Sequence, residues 1–204
     1  MENRFVIALL VDNKSGVLTR ISSMFTRRGF NIDSLTVGRT EDPRFSRVTI
    51  CAQGDDATRK QIMKQARKLY NVHEVKLMPE EDSVRRELAL IKLRNKQETR
   101  SDILSAVDIF RGKIIDFSPN TLCVEITGNT SKIEAFITVV KPLGILEMCR
   151  TGITSLERGC KYLNSETQTF EDSQNVKSKE KECLQCLKFI ISRIVISRNW
   201  MERK

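Results

Sequence analysis

Asn13, Gly16 and Asn31 are the residues of this chain whose types and spacing suit chemistry on a small charged ligand. Asn13 and Gly16 sit in the turn Asp12-Asn13-Lys14-Ser15-Gly16-Val17-Leu18, between a strand-like run and a helix-like run. Asn31 stands in Arg27-Arg28-Gly29-Phe30-Asn31-Ile32-Asp33-Ser34-Leu35-Thr36-Val37-Gly38, on the second arm of the same strand–helix–strand unit. A glycine where a strand turns into a helix lets a ligand approach the backbone closely. The helix N-terminus beyond it offers unpaired N–H groups and a partial positive charge, which suits a carboxylate. Each asparagine both donates and accepts, so it orients a carboxylate or an ammonium group. Val17, Leu18 and Ile32 supply apolar surface for a side chain. The expectation is one site, at one end of a small sheet, that grips both charged ends of a free amino acid. A plainer assignment fits the same residues: Ser15 caps the helix, Asn13 makes the turn and Asn31 opens the strand.

Groups for catalysis are scarce. His73 is the sole histidine, so neither a histidine metal cluster nor a catalytic triad can be assembled; it is expected on a strand surface. Cys183-Leu184-Gln185-Cys186 is a lone CxxC, and a zinc ribbon needs a second pair. No phosphate-binding glycine loop and no nucleophile elbow occurs. No catalytic residue and no metal ligand is therefore assigned. The six cysteines show no framework spacing, which reads as a reducing cytoplasm. The net charge of +9 is spread along the chain rather than gathered into a phosphate-tracking stripe, so no nucleic-acid partner is expected. No signal-peptide pattern opens the sequence, and no apolar run reaches the ~20 residues that span a bilayer, so no membrane partner is expected.

The elements that must position these residues follow from periodicity. Arg4 to Val11 is an apolar run of strand length; Val17, Leu18, Ile21, Met24 and Phe25 recur at helical spacing, and Gly29 stops that helix. Ile32, Leu35 and Val37 mark a second strand and Val48, Ile50 and Ala52 a third. Gly54-Asp55-Asp56 opens a second helix, and Val72, Val75 and Leu77 make a fourth strand ended by Pro79. The order βαββαβ then repeats, with strands at Leu88–Leu93, Lys113–Phe117, Leu122–Thr127 and Ile145–Cys149, and helices marked by Ile103, Leu104, Val107 and Phe110, then by Ile133, Phe136, Ile137 and Val140. The predicted fold class is α+β, two ferredoxin-like βαββαβ units over 1–79 and 80–159, with Pro79 to Arg86 as linker and a polar tail over 160–204. In the tail, Asn164 to Glu182 reads as disordered, and Leu184, Leu187, Ile191 and Ile194 fit a short amphipathic helix or a strand. The first strand is apolar on both sides, so its helix-free face is expected to be covered, most simply by a second copy of the chain.

The first unit resembles an ACT domain, the small amino-acid-sensing module. Residues 4–159 as a whole resemble the small regulatory subunit of acetolactate synthase (acetohydroxyacid synthase). The stretches that carry this are DNKSGVLTRISSMFTRRGFNIDSLTVG at 12–38, SRVTICAQGDD at 46–56, VRRELALIKLR at 84–94, IFRGKIIDFSPNTLCVEITG at 109–128, KIEAFI at 132–137 and RTGITSLERG at 150–159. The resemblance implies a cytoplasmic protein with no active site and no cofactor of its own. Its implied partner is a large catalytic subunit that carries thiamine diphosphate, a divalent metal (magnesium) and FAD, and that condenses pyruvate with pyruvate or 2-oxobutyrate in branched-chain amino-acid synthesis. It further implies a homodimer through the ACT domains, with valine or a related branched-chain amino acid bound between two of them. The effector positions that match are Asn13, Gly16 and Asn31, with Val17, Leu18 and Ile32 as neighbours. Contact with the catalytic subunit is expected through the second unit, at Val84 to Arg94 or Arg111 to Asp116. Three other readings remain at this point: an ACT regulator of another pathway, an RNA-binding βαββαβ module with Phe5 and Phe45 as stacking aromatics, and a metal or redox sensor using Cys183 and Cys186.

Overall fold

The computed structural model describes residues 4–160, 162 and 163. Cys183, Cys186, Trp200 and the tail pattern from Leu184 to Ile194 lie outside them. Two βαββαβ units are present. The first comprises β1 (Arg4–Asp12), α1 (Val17–Arg27), β2 (Ile32–Arg39), β3 (Phe45–Gln53), α2 (Asp56–Ala66) and β4 (Val72–Leu77). The second comprises β5 (Ser83–Arg94), α3 (Arg100–Ile109), β6 (Lys113–Phe117), β7 (Thr121–Gly128), α4 (Thr130–Val140), β8 (Ile145–Arg150) and β9 (Thr154–Glu157). The sheets are antiparallel, ordered β2-β3-β1-β4 and β6-β7-β5-β8, with β9 added to the first half of β5.

Each unit closes by burying one apolar stripe of each helix on its sheet. Phe5, Ile7, Leu9 and Val11 of β1 meet Val17, Ile21, Met24 and Phe25 of α1 and Ile62 and Ala66 of α2. Ala89, Ile91 and Leu93 of β5 repeat the arrangement with Ile103, Ala106, Val107, Ile133, Phe136 and Val140. The end of α1 follows from its sequence. Phe30 N–H bonds the Phe25 carbonyl and Gly29 N–H the Thr26 carbonyl, both at 3.1 Å, and the Phe25 and Phe30 rings meet edge-on. This paired closure with an apolar contact across it fixes where the chain turns back into β2.

Two expectations are corrected. The helix-free face of the first sheet is covered from within the chain: Val6, Ala8, Cys51 and Met78 pack against Ile153 and Leu163, beyond the end of β8. A second copy is not needed there. The second half of the supposed linker is strand, because β5 starts at Ser83. Its inward positions Ser83 and Glu87 are polar, which hid the period-2 pattern. Among the described residues, Cys51, Cys123 and Cys149 are free thiols.

Glu87 is only 4% exposed, and Arg150 holds it through two bonds, Nε to Oε1 at 2.6 Å and Nη2 to Oε2 at 2.9 Å, while Nη1 reaches Glu134 on α4 at 2.6 Å. These contacts hold the Arg150 guanidinium well above its ordinary pKa, the Glu87 bonds first among them. Removing the arginine strands a buried carboxylate. Arg150→Met is expected to destabilise the chain by about 3 kcal/mol in urea unfolding; a loss under about 1 kcal/mol would show that water reaches Glu87.

Candidate functional site

The candidate residues do not share one end of the sheet, and topology is the reason. β1 and β2 both run antiparallel to β3, so they run parallel to each other. A residue just after β1 and a residue just before β2 must then lie at opposite ends. The register agrees: Asp12 stands opposite Phe45, whereas Ile32 shares Ala52 with Phe5. The nine residues of β1 separate the two ends by about 26 Å. The expected single site is therefore two half-sites within one chain.

The first half-site holds Asn13, Gly16, Val17 and Leu18. Asn13 is exposed; its N–H bonds the Arg44 carbonyl at 2.7 Å and its Nδ2 donates to the Pro43 carbonyl at 2.9 Å. The amide is thereby oriented, with its oxygen left to accept. Gly16, with φ of 81°, is the N-cap of α1, a backbone shape that L side chains adopt at a cost. No side chain caps the helix, so Ser15 does not play that part, and no acidic residue stands in the first turn. The partial positive charge of the helix start is uncompensated and open to an anion. Val17 is buried in the core; Leu18, 43% exposed, is the apolar group facing outward.

The second half-site holds Asn31 and Ile32. Asn31 is exposed, and its Nδ2 donates to Asp33 Oδ1 at 3.2 Å. Asp33 in turn meets Arg4 at 3.3 Å. Its amide oxygen and the neighbouring carboxylate suit an ammonium group. Ile32 is half-buried against the core. Asp33 was not among the sequence candidates; the Asn-x-Asp spacing is the signal for it. A cleft of about 780 Å³ opens beside this end between the two units, lined among others by Arg4, Asp33, Ser34, Arg86 and Arg150. None of the six candidate residues lines it.

His73 lies exposed on the strand β4, as expected, and is held by a partner there. Its Nε2 lies 2.6 Å from Asp12 Oδ1, and Asn71 Nδ2 donates to Asp12 Oδ2 at 2.8 Å. These two bonds hold the Asp12 carboxyl below the usual carboxylate range, the His73 bond most strongly. Burial pushes the Cys51 thiol up, away from the reactive thiolate. Phe5 lies in the helix-side core, so the two central strands present no stacked aromatic platform of the RNA-binding kind.

Residues 7–74 match the family model described as the AHAS small subunit-like ACT domain, and residues 86–159 match the one described as the small subunit of acetolactate synthase. A probable acetolactate synthase small subunit of Methanothermobacter thermautotrophicus is 45% identical over 159 residues, covering 78% of this chain and 95% of that protein. The chain belongs to the acetolactate synthase small-subunit family. The Mycolicibacterium smegmatis acetolactate synthase small subunit is 47% identical over 153 residues, covering 75% of this chain and 90% of that protein. The crystal structure of the acetolactate synthase small subunit of Thermotoga maritima superposes with a TM-score of 0.72 at 46% identity, covering 76% of this chain and 98% of that one. Both half-sites fall in or beside the ACT-domain match. As a small subunit, the chain has a large catalytic subunit as its counterpart. No helix among the described residues is long and apolar enough to cross a membrane.

Proposed function

We propose that this chain is the regulatory subunit that activates an acetolactate synthase catalytic subunit and makes it subject to feedback inhibition by valine or another branched-chain amino acid. The observation that carries this reading is the pair of complementary half-sites, one suited to a carboxylate and one to an ammonium group, at opposite ends of an ACT-type sheet. A second chain unites them. β2 is an edge strand, with Val37, Gly38 and Arg39 exposed. Two-fold pairing of β2 with its copy runs antiparallel, so Asn31 of each chain comes to the end where the other carries Asn13 and Gly16. Two equivalent effector sites result, each shared between chains, with Leu18 and Ile32 beside the effector side chain.

The magnitudes are compatible. Valine has about eight heavy atoms, and micromolar binding needs about −8 kcal/mol. That is roughly −1 kcal/mol per atom, within the ceiling for very small ligands. It requires both charged ends to be paired, which neither half-site does alone. The thiamine diphosphate, magnesium and FAD of the condensation belong to the catalytic partner; this chain contributes no cofactor and no catalytic group.

The partner's docking place is sought in the second unit. β5 is bonded to β7 from Glu87 to Arg94 and to β8 from Ala89 to Leu93, so most of that stretch is a central strand, while Val84 to Arg86 pair with β9 alone. β6 is an edge strand exposed along its whole length, with Ile115 at 51% and Phe117 at 55%, and Ile109 nearby at 76%. A bare apolar edge invites pairing with another chain. Of the two expected segments, Arg111 to Asp116 is the one this favours. Ile115→Lys is expected to weaken activation of the catalytic subunit at least about tenfold in a subunit titration, a charge now opposing the interface. Valine heat in calorimetry should stay unchanged. Unaltered activation would place the docking surface elsewhere.

A further inference from the structure

We propose that Asn71 is a positioning residue for the effector carboxylate: its side chain clamps both flanks of the turn that would receive that group. This rests on the effector reading above and deepens it with a residue from outside the six candidates. Asn71 lies in the segment between α2 and β4, 59 residues along the chain from Asp12. Its Nδ2 donates to Asp12 Oδ2 at 2.8 Å, and its backbone carbonyl accepts the Asp12 N–H at 2.9 Å. Its Oδ1 accepts from Arg20 Nη1 at 3.1 Å. Asp12 ends β1, directly before Asn13. Arg20 belongs to α1, and its N–H closes the first turn of that helix on the Gly16 carbonyl at 3.1 Å. One side-chain amide therefore joins the residue before the carboxylate half-site to the helical turn after it.

The turn between these flanks holds itself weakly. Asn13 to Gly16 separate β1 from α1, and no side chain caps the helix. A Cβ at Gly16 would meet nothing within 4 Å, so packing does not fix that residue. The bond inside the turn, from the Val17 N–H to the Lys14 carbonyl, is long at 3.4 Å. Asn13 is tied outward instead, to Pro43 and Arg44. The spacing between the Asn13 amide and the helix start is thus set by contacts from outside the turn. A carboxylate that bonds both needs that spacing held to within about half an ångström. The Asn71 amide serves in one orientation only. Turned over, its oxygen would face the Asp12 carboxylate and its NH2 the Arg20 guanidinium, two mismatched pairs. Bonds to an ionised carboxylate are the strong ones, and the bonds Asp12 accepts, from His73 first and Asn71 next, keep its carboxyl below the usual range.

The test is calorimetric titration of the full chain, at neutral pH, with valine and with valinamide, which lacks the carboxylate. The wild type is compared with Asn71→Asp and with the reciprocal swap that joins Asp12→Asn to Asn71→Asp. Asn71→Asp keeps an acceptor for Arg20 but sets two carboxylates face to face. The swap restores the bond with donor and acceptor exchanged and leaves the net charge as it was. Asn71→Asp should bind valine about tenfold more weakly, roughly the worth of one hydrogen bond to a charged group. Valinamide should change by less than about twofold, so the preference for valine over its amide falls with the affinity. The swap should bind valine within about threefold of the wild type. Thermal unfolding run beside the titrations shows that each chain is folded when titrated. Wild-type valine affinity in Asn71→Asp, equal weakening of both ligands, or a swap no better than the single variant would overturn the proposal and leave the effector reading standing. No heat with valine, leucine or isoleucine in the wild type would remove the effector reading, and the proposal with it.

Discussion

Asn31→Ala is expected to abolish measurable valine binding and, with it, feedback inhibition of the reconstituted enzyme, while activation survives. Asn31 is exposed and carries one side-chain bond, to Asp33, so the fold should lose less than about 0.5 kcal/mol. The effector loses a hydrogen bond to a charged group, which costs about 1.5–3 kcal/mol. It also loses the amide that fixes the Asp33 carboxylate beside it. Together these weaken a micromolar ligand at least about a hundredfold. Calorimetry with valine, run beside thermal unfolding, separates the two effects. Wild-type heat in the variant would remove Asn31 from the site.

The second large effect concerns Gly152, through which the two units touch. Its φ is 79°, and a Cβ added there would stand 2.9 Å from Ser34 Cβ and 3.2 Å from Thr36 Oγ1. Thr36 donates to the Thr151 carbonyl at 2.9 Å, and Thr151 is itself bonded to Leu88 on β5 through its N–H and its hydroxyl. Ser34 and Thr36 lie on β2, which begins at the candidate residue Ile32. In the proposed reading, the same strand would meet the effector at its start, and it meets the second unit at its middle. Gly152→Ala should cost about 2 kcal/mol in strain and contact. It should leave valine binding nearly intact while blunting inhibition severalfold. Thr36→Val, which keeps the shape and removes the bond, is the gentler companion. An unchanged inhibition curve in both would show that the signal passes by another route. Cutting the chain after residue 80 is a poorer test than the sequence suggests. It would strip Ile153 and Leu163 from Val6, Ala8, Cys51 and Met78 and leave an apolar face in water.

Much of the fold was legible where apolar period and turn residues agree. The apolar run of β1, the helical spacing from Val17 to Phe25 and the stop at Gly29 all lie where expected. β9 and the first half of β5 were not legible. Their inward residues, Ser83, Glu87 and Ser155, are polar and buried, and burial of that kind depends on partners far along the chain. The separation of the candidate residues was not legible. Asn13 and Asn31 flank one helix in sequence, so they look adjacent, but parallel β1 and β2 carry them apart. His73 gave no local signal, because its partner Asp12 is 61 residues away.

In the proposed reading the effector site is shared between two chains. The direct test uses Asn13→Ala and Asn31→Ala chains, each titrated with valine alone and then after unfolding and refolding as a mixture. Each alone should give no heat. In a mixed pair, one of the two sites has both asparagines intact, so random pairing should restore about a quarter of the wild-type stoichiometry at wild-type affinity. No recovery, with mixed pairs demonstrably formed, would contradict the shared site and with it the account of how this chain senses its effector.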